Sequence, residues 1–207
     1  AEATTVSLYN KGIPVGTKII GMGGKDIDSD IAYMYRIDIN EAKKIKEKFA
    51  LAHKRGANIN DTYEATNLNG EKVKINQLEV SEVAMSRAEE ILTLAKNEIN
   101  LLTNRPIQYI IVTGGVANML NFEYTAQSVF GNIAQIGSIN TIGVRNDKYS
   151  TALGNIIYFI GMLKLKGQNY TMLSNDDMEV LSSPDKHFIN TSNDTMLGKV
   201  FGYFFGE

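Results

Sequence analysis

The sequence predicts an α/β domain, and three observations predict it. Residues 107–112 form an apolar run, with β-branched and aromatic side chains, that stops at Thr113 and the pair Gly114-Gly115. Such a run, apolar on both faces, is the pattern of a central strand covered by helices on each side. Asn10-Lys11-Gly12 and Asn69-Gly70 each lie between extended pieces, as in hairpins. Helical periodicity fills the remaining segments. Strand hairpin, helices, strand, helix, strand and helix therefore follow one another, an α/β order.

Composition bounds the function. The 207 residues suffice for one large domain or two small ones. A net charge of -2 gives no basic stripe to release counterions, so nucleic acid is not an expected partner. The chain has no cysteine, which excludes disulfide and thiol chemistry and fits a reducing compartment. His53 and His187 lack metal-ligand spacing. No apolar run reaches the ~20 residues that span a bilayer, and no signal peptide opens the chain. The first residue is not Met and a strand is under way by Thr4, which reads as the carboxyl-terminal part of a longer protein.

The elements follow in order. Residues 5–9 alternate as a strand, and residues 14–21 pair back on them. After Gly23-Gly24, residues 25–35 are helical, with Ile27, Ile31 and Met34 on the buried face and Asp26, Asp28 and Asp30 off it. Asn40 is the expected N-cap of a helix over 41–52, where Ala42, Ile45, Phe49 and Ala52 make the buried stripe. Lys43, Lys44, Lys46, Glu47 and Lys48 make mostly its solvated face. Residues 63–76 read as a hairpin. Residues 81–102 form a long helix with Val83, Ala84, Ala88, Ile91, Leu92, Ala95 and Ile99 inward and Arg87, Glu89, Glu90 and Lys96 outward, and Pro106 prevents its continuation. Residues 122–130 are helical up to Gly131, residues 134–136 a short strand, and residues 149–165 a helix apolar enough to be nearly buried.

From 166 to 193 periodicity dissolves into Ser, Asn and Asp, the pattern of a flexible linker. Apolar residues then return. Leu197, Val200, Phe201 and Phe204 share one helical face, with Phe205 beside them, and Gly198, Gly202 and Gly206 recur on the other side. Each glycine costs about 1 kcal/mol of helix stability relative to Ala, so a surface must induce this helix. It is too short to span a membrane and long enough to lie in a headgroup interface. Docking on its own domain or on a partner protein is the other reading.

In this order the chain resembles the second half of an ATPase of the actin and heat-shock-chaperone type, and within that superfamily the bacterial cell-division FtsA family. Thr4-Thr5 with the following strand, the stretch 22–32 around Gly23-Gly24, the helix beginning at Glu41, and Ile111-Val112-Thr113-Gly114-Gly115 carry the resemblance, with residues 149–158 matching a later helix. It implies an actin-like, ribonuclease H-like half: a mixed sheet flanked by helices (1–24 and 104–165), an inserted α+β subdomain (25–103), a linker (166–193) and an amphipathic membrane-targeting helix (194–207). It implies ATP, with Mg in the longer protein. Thr4 and Thr5 would meet the terminal phosphates, Gly23 and Gly24 would belong to the nucleotide site, Glu41, Lys44 and Lys48 would face the ribose and adenine, and Gly114 and Gly115 would give a Cβ-free surface under the base. The family usually has glycines before the two threonines and an Asp after them. Glu2, Ala3 and Val6 stand there instead, which implies a displaced loop or weakened binding, with weak or no hydrolysis. Implied partners are the carboxyl-terminal peptide of FtsZ, met at Arg87 and Glu90, further copies in actin-like filaments, and lipid met by Leu197, Val200, Phe201, Phe204 and Phe205. The implied location is the cytoplasmic side of the membrane at the division septum. A PilM-like pilus-assembly scaffold, or a phosphoryl-transfer or chaperone ATPase of the same superfold, are the alternatives.

Overall fold

The structure, a computed structural model, describes residues 1–139, Val144 and 146–167. The expected linker beyond Gly167 and the expected amphipathic helix, with Leu197, Val200, Phe201, Phe204 and Phe205, lie outside the described residues. The chain divides into two units, Ala1–Ile156 and Ile157–Glu207.

The first unit opens with an antiparallel hairpin of β1 (Thr4–Asn10) and β2 (Ile13–Ile20), paired from Thr4 opposite Ile20 to Asn10 opposite Ile13. Helix α1 (Gly24–Tyr35) and helix α2 (Ile39–Lys48) follow. A second hairpin, β3 (Thr62–Thr66) and β4 (Lys72–Asn76), leads directly into helix α3 (Gln77–Leu102). Asn67 shapes its turn by accepting from the backbone N–H groups of Asn69 and Glu71, while Gly70 takes φ +84°. Strand β5 (Ile110–Val112), helix α4 (Phe122–Phe130) and strand β6 (Ala134–Ile136) form a parallel crossover with Ile110 opposite Ala134. Helix α5 (Ser150–Leu165) begins at the end of the first unit.

A hydrophobic cluster joins α1, α2, β3, β4, α3, α4 and β6. Ile27 and Ile31 of α1, Ala42 and Ile45 of α2, and Ile75 of β4 meet Val80, Ala84 and Leu92 of α3, and the cluster continues through Phe122 and Ala126 of α4 to Ala134 of β6. The segment after α2 is tied to α4: the Ala52 N–H donates to the Leu120 carbonyl (2.9 Å), and the Thr125 hydroxyl donates to the Ala52 carbonyl (2.5 Å).

Several sequence expectations are corrected. Asp28 is buried rather than outward, and Met34 is half exposed rather than inward. Helix α2 is capped by Asp38, whose side chain accepts from the Asn40 N–H, and it stops at Lys48; Ala50, Leu51 and Ala52 stay buried without helical backbone. Lys46 belongs to the buried side of α2, not to its solvated face. Strand β5 has three residues rather than six, and Tyr109 and Ile111 are exposed, so only one face is covered. Helix α5 has the expected extent but no buried residue; Ile157 is 60% exposed and Ile160 42%.

Candidate functional site

Gly24, at the start of α1, packs against the loop that follows Gly114-Gly115. A Cβ added at Gly24 would lie 2.6 Å from Cγ2 of Val116, the residue that follows Gly115, so α1 meets the β5–α4 loop with no room for a side chain. Helix α2 reaches the same point through Lys46, whose ammonium donates to the Gly24 carbonyl (2.8 Å) and pairs with Asp28 Oδ1 at 2.6 Å, both side chains 9% exposed. A charge enters this place because Lys46 lies one residue past Ile45 and four past Ala42, so its methylene stem follows the apolar stripe.

The phosphate-side candidates are arranged differently. The Thr4 hydroxyl donates to the Met22 carbonyl (2.8 Å), whereas Thr5 is exposed on the other face of β1. At the α1 N-terminus the Gly23 N–H donates to Asp26 Oδ2 (2.7 Å), and the Lys25 N–H donates to the Ala1 carbonyl (3.0 Å). Glu2 pairs with Lys25 at 2.6 Å; the Lys25 contact lowers the Glu2 pKa and raises that of Lys25. The acidic residue that replaces a glycine here is thus matched by a cation.

Gly114 takes φ +116°, a backbone conformation that glycine adopts without strain. A Cβ on Gly115 would meet nothing closer than Lys148 Cβ at 3.8 Å, so this glycine leaves open surface. Asn118 braces the loop by donating to Asn146 Oδ1 (3.1 Å), and the Lys148 ammonium lies 4.9 Å from the Tyr149 ring centre.

Glu41 and Lys44 are not brought to the glycines. They line a separate recess of about 340 Å³ with Asp38, Asn40, Glu64 and Thr66. Glu41 accepts from the Tyr63 hydroxyl (2.7 Å) and from Lys44 (3.0 Å), and these contacts, Tyr63 first, hold its pKa below the ordinary carboxylate value. Lys48 is exposed at the end of α2. Arg87 is clamped by Asp30 of α1 through two hydrogen bonds (2.6 and 2.9 Å) and donates to Glu90 (2.6 Å); Asp30 foremost raises its pKa further.

The fit to a nucleotide is therefore uneven. The open surface at Gly115, with Lys148 at its border, suits a flat base. On the phosphate side the chain's own groups already occupy the Thr4 hydroxyl and two backbone donors at the α1 start. Among the described residues no group of three His, Asp or Glu side chains is placed to hold a metal, and no helix is long and apolar enough to cross a membrane. Sequence reasoning missed Lys46 and Lys148. The first lies beside the Ala42–Ile45–Phe49 stripe but looks solvated in a lysine-rich run until Asp28 is known to face it; the second carried no local signal, since it reaches Gly115 through tertiary structure.

The sequence profile of the family Cell division protein FtsA matches residues 1–154. The chain is similar to Cell division protein FtsA of Bacillus subtilis (29% identical over 169 residues, 80% of this chain and 38% of the relative). It is also similar to that of Staphylococcus epidermidis (26% over 196 residues, 94% of this chain and 41% of the relative). It spans about two-fifths of the length of these curated relatives. Among solved structures, MreB5 of Spiroplasma citri bound to ADP superposes with a TM-score of 0.61 (18% identical, 81% of this chain and 53% of that one). A non-polymerising mutant of MamK bound to AMPPNP gives 0.51 (16% identical, 68% and 47%). The fold is that of the actin-like ATPases. The chain belongs to the FtsA family of cell-division proteins.

Proposed function

We propose that this chain is the nucleotide-facing and partner-binding portion of a cell-division adaptor, a longer protein that binds ATP, assembles into actin-like filaments and tethers FtsZ to the cytoplasmic face of the membrane at the septum. Family membership supports the division role. The actin-like fold supports nucleotide binding and self-association, as do neighbours described with ADP and AMPPNP and one described as a non-polymerising mutant. The observation that carries the nucleotide reading is the meeting of Gly24, Val116 and Lys46, which sets Gly114-Gly115 beside α1 and α2. In this reading Gly114 and Gly115 lie under the base. Thr4, Thr5, Gly23 and Gly24 approach the phosphates once the remainder of the longer protein supplies the facing wall and the Mg ligands. Glu41, Lys44 and Lys48 are the peripheral members of the set.

Residues 25–103 act as the inserted partner-binding subdomain on the 1–24 and 104–165 platform, with the α1–α3 face around Arg87 and Glu90 as the FtsZ surface. Residues 166–193 are the tether, and the 194–207 segment inserts Leu197, Val200, Phe201, Phe204 and Phe205 into the headgroup interface.

Gly115→Val tests the cleft, because nothing in the chain crowds that position. In the longer protein the variant should fold normally and bind a fluorescent ATP analogue about tenfold more weakly, a ratio worth ~1.4 kcal/mol. Unchanged affinity would place the nucleotide elsewhere.

A further inference from the structure

Gly115 is exposed, and the side chain at its border is that of Lys148. A Cβ built on Gly115 would lie 3.8 Å from Lys148 Cβ, an ordinary van der Waals contact. Lys148 sits in a turn of 3-10 helix (Asp147–Tyr149) just before α5, and Asn146 fixes that turn against the glycine loop. The Asn146 Oδ1 accepts from the Lys148 N–H (3.0 Å) and from the Asn118 side-chain amide (3.1 Å). The same Asn118 amide donates to the Gly114 carbonyl (3.4 Å), and the Asn146 carbonyl accepts from the Tyr149 N–H (3.0 Å). Two asparagines thus bracket Lys148 beside Gly115.

The ammonium is presented rather than neutralised. It lies 4.9 Å from the ring centre of Tyr149, itself 46% exposed, and no carboxylate pairs with it among the described residues. A cation resting on an exposed ring is held weakly enough to turn to a ligand. It has three donors and no acceptor. On the purine edge that carries N7 and the 6-substituent, guanine offers two acceptors, O6 and N7, whereas adenine sets the N6 donor beside N7. An ammonium facing that edge favours the 6-oxo base over the 6-amino one. We propose that Lys148 reads the base edge of the bound nucleotide and extends the ligand class of the site to guanine nucleotides. The inference rests on the reading that Gly114 and Gly115 lie under the base. A cation that only drew in triphosphate charge would act alike on ATP and GTP, so the ratio of the two affinities isolates the contact with the base.

The test measures the longer protein's affinities for ATP and for GTP, by competition of each against a fluorescent ATP analogue in magnesium buffer. Lys148→Met keeps the stem and removes the donors; it should weaken GTP about tenfold more than ATP. Lys148→Arg, which can also donate to O6 and N7, should keep the wild-type ratio. The exposed position of Lys148 predicts an unchanged melting temperature for both variants. A GTP-to-ATP ratio that Lys148→Met leaves unaltered overturns the inference, as does a ratio that Lys148→Arg shifts as far as Met does. Gly115→Val separates this failure from that of the cleft reading. If it weakens both nucleotides while Lys148→Met leaves the ratio alone, the cleft stands and the part given to Lys148 falls. If it changes neither affinity, or if neither nucleotide binds, the cleft reading fails and the inference falls with it.

Discussion

Lys46 carries its charge into a place bounded by Asp28, the Gly24 carbonyl and the apolar stripe of α2, so its removal strands a buried carboxylate. Breaking one side of a buried pair is destabilising by about 3–5 kcal/mol, whereas replacing both partners with apolar residues can be close to neutral. Lys46→Met should therefore lower unfolding free energy by about 3 kcal/mol in urea titrations, and Asp28→Leu added to it should recover most of the loss. Glu41 offers a second residue-scale test. The Tyr63 hydroxyl, and after it Lys44, favour its charged form and depress its pKa in the folded chain. A carboxyl of that kind stabilises the fold above its unfolded value and loses that contribution as pH falls through its folded value. The sensitive window is thus the acid range below the ordinary value of 4.5. Tyr63→Phe should move the Glu41 titration upward, followed by side-chain carboxyl NMR, and make the chain begin to unfold at a higher pH in acid. The identity of the buried stripe on α2 was legible in the sequence. The fate of Lys46 was not, because a lysine in a lysine-rich run looks solvated until an acid on another helix is known to face it.

Elements were legible to the extent that their own residues decide them. The β1–β2 hairpin, α1, α4 and β6 match their patterns within a residue or two, because turn chemistry and helical periodicity act locally. What covers an element is a tertiary property. The run before Gly114 reads as a central strand, yet among the described residues only Ile110–Val112 forms a strand, paired with β6. Helix α5 is apolar around most of its circumference and still exposed. Close packing between elements gives a sharper test. Gly24→Ala would set a methyl 2.6 Å from Val116, whose β-branched side chain has few rotamers to escape into. Overpacking costs about 1–3 kcal/mol, against about 1 kcal/mol gained in helix propensity. Thermal melting should show a net loss that Val116→Ala restores.

At the scale of the whole molecule, the candidate cleft was legible as a set of glycines and only partly as a set of side chains. Gly24 does meet Val116, the residue after Gly114-Gly115, whereas Glu41 and Lys44 occupy a recess beside Tyr63. Glycine pairs at the ends of strands mark close backbone approach whatever surrounds them. Charged side chains on a helix, by contrast, can serve either of two flanks, and sequence spacing alone does not choose. The proposed adaptor would join three surfaces in one activity: a nucleotide-facing cleft, the α1–α3 face around Arg87 and Glu90, and the 194–207 segment expected to seek lipid. The measurement that tests it most directly is sedimentation of FtsZ with liposomes in the presence of the longer protein and ATP. FtsZ should pellet with the lipid, and deleting residues 194–207 should leave both proteins in the supernatant. FtsZ that remains soluble with the intact protein, or that pellets equally well after the deletion, would contradict it.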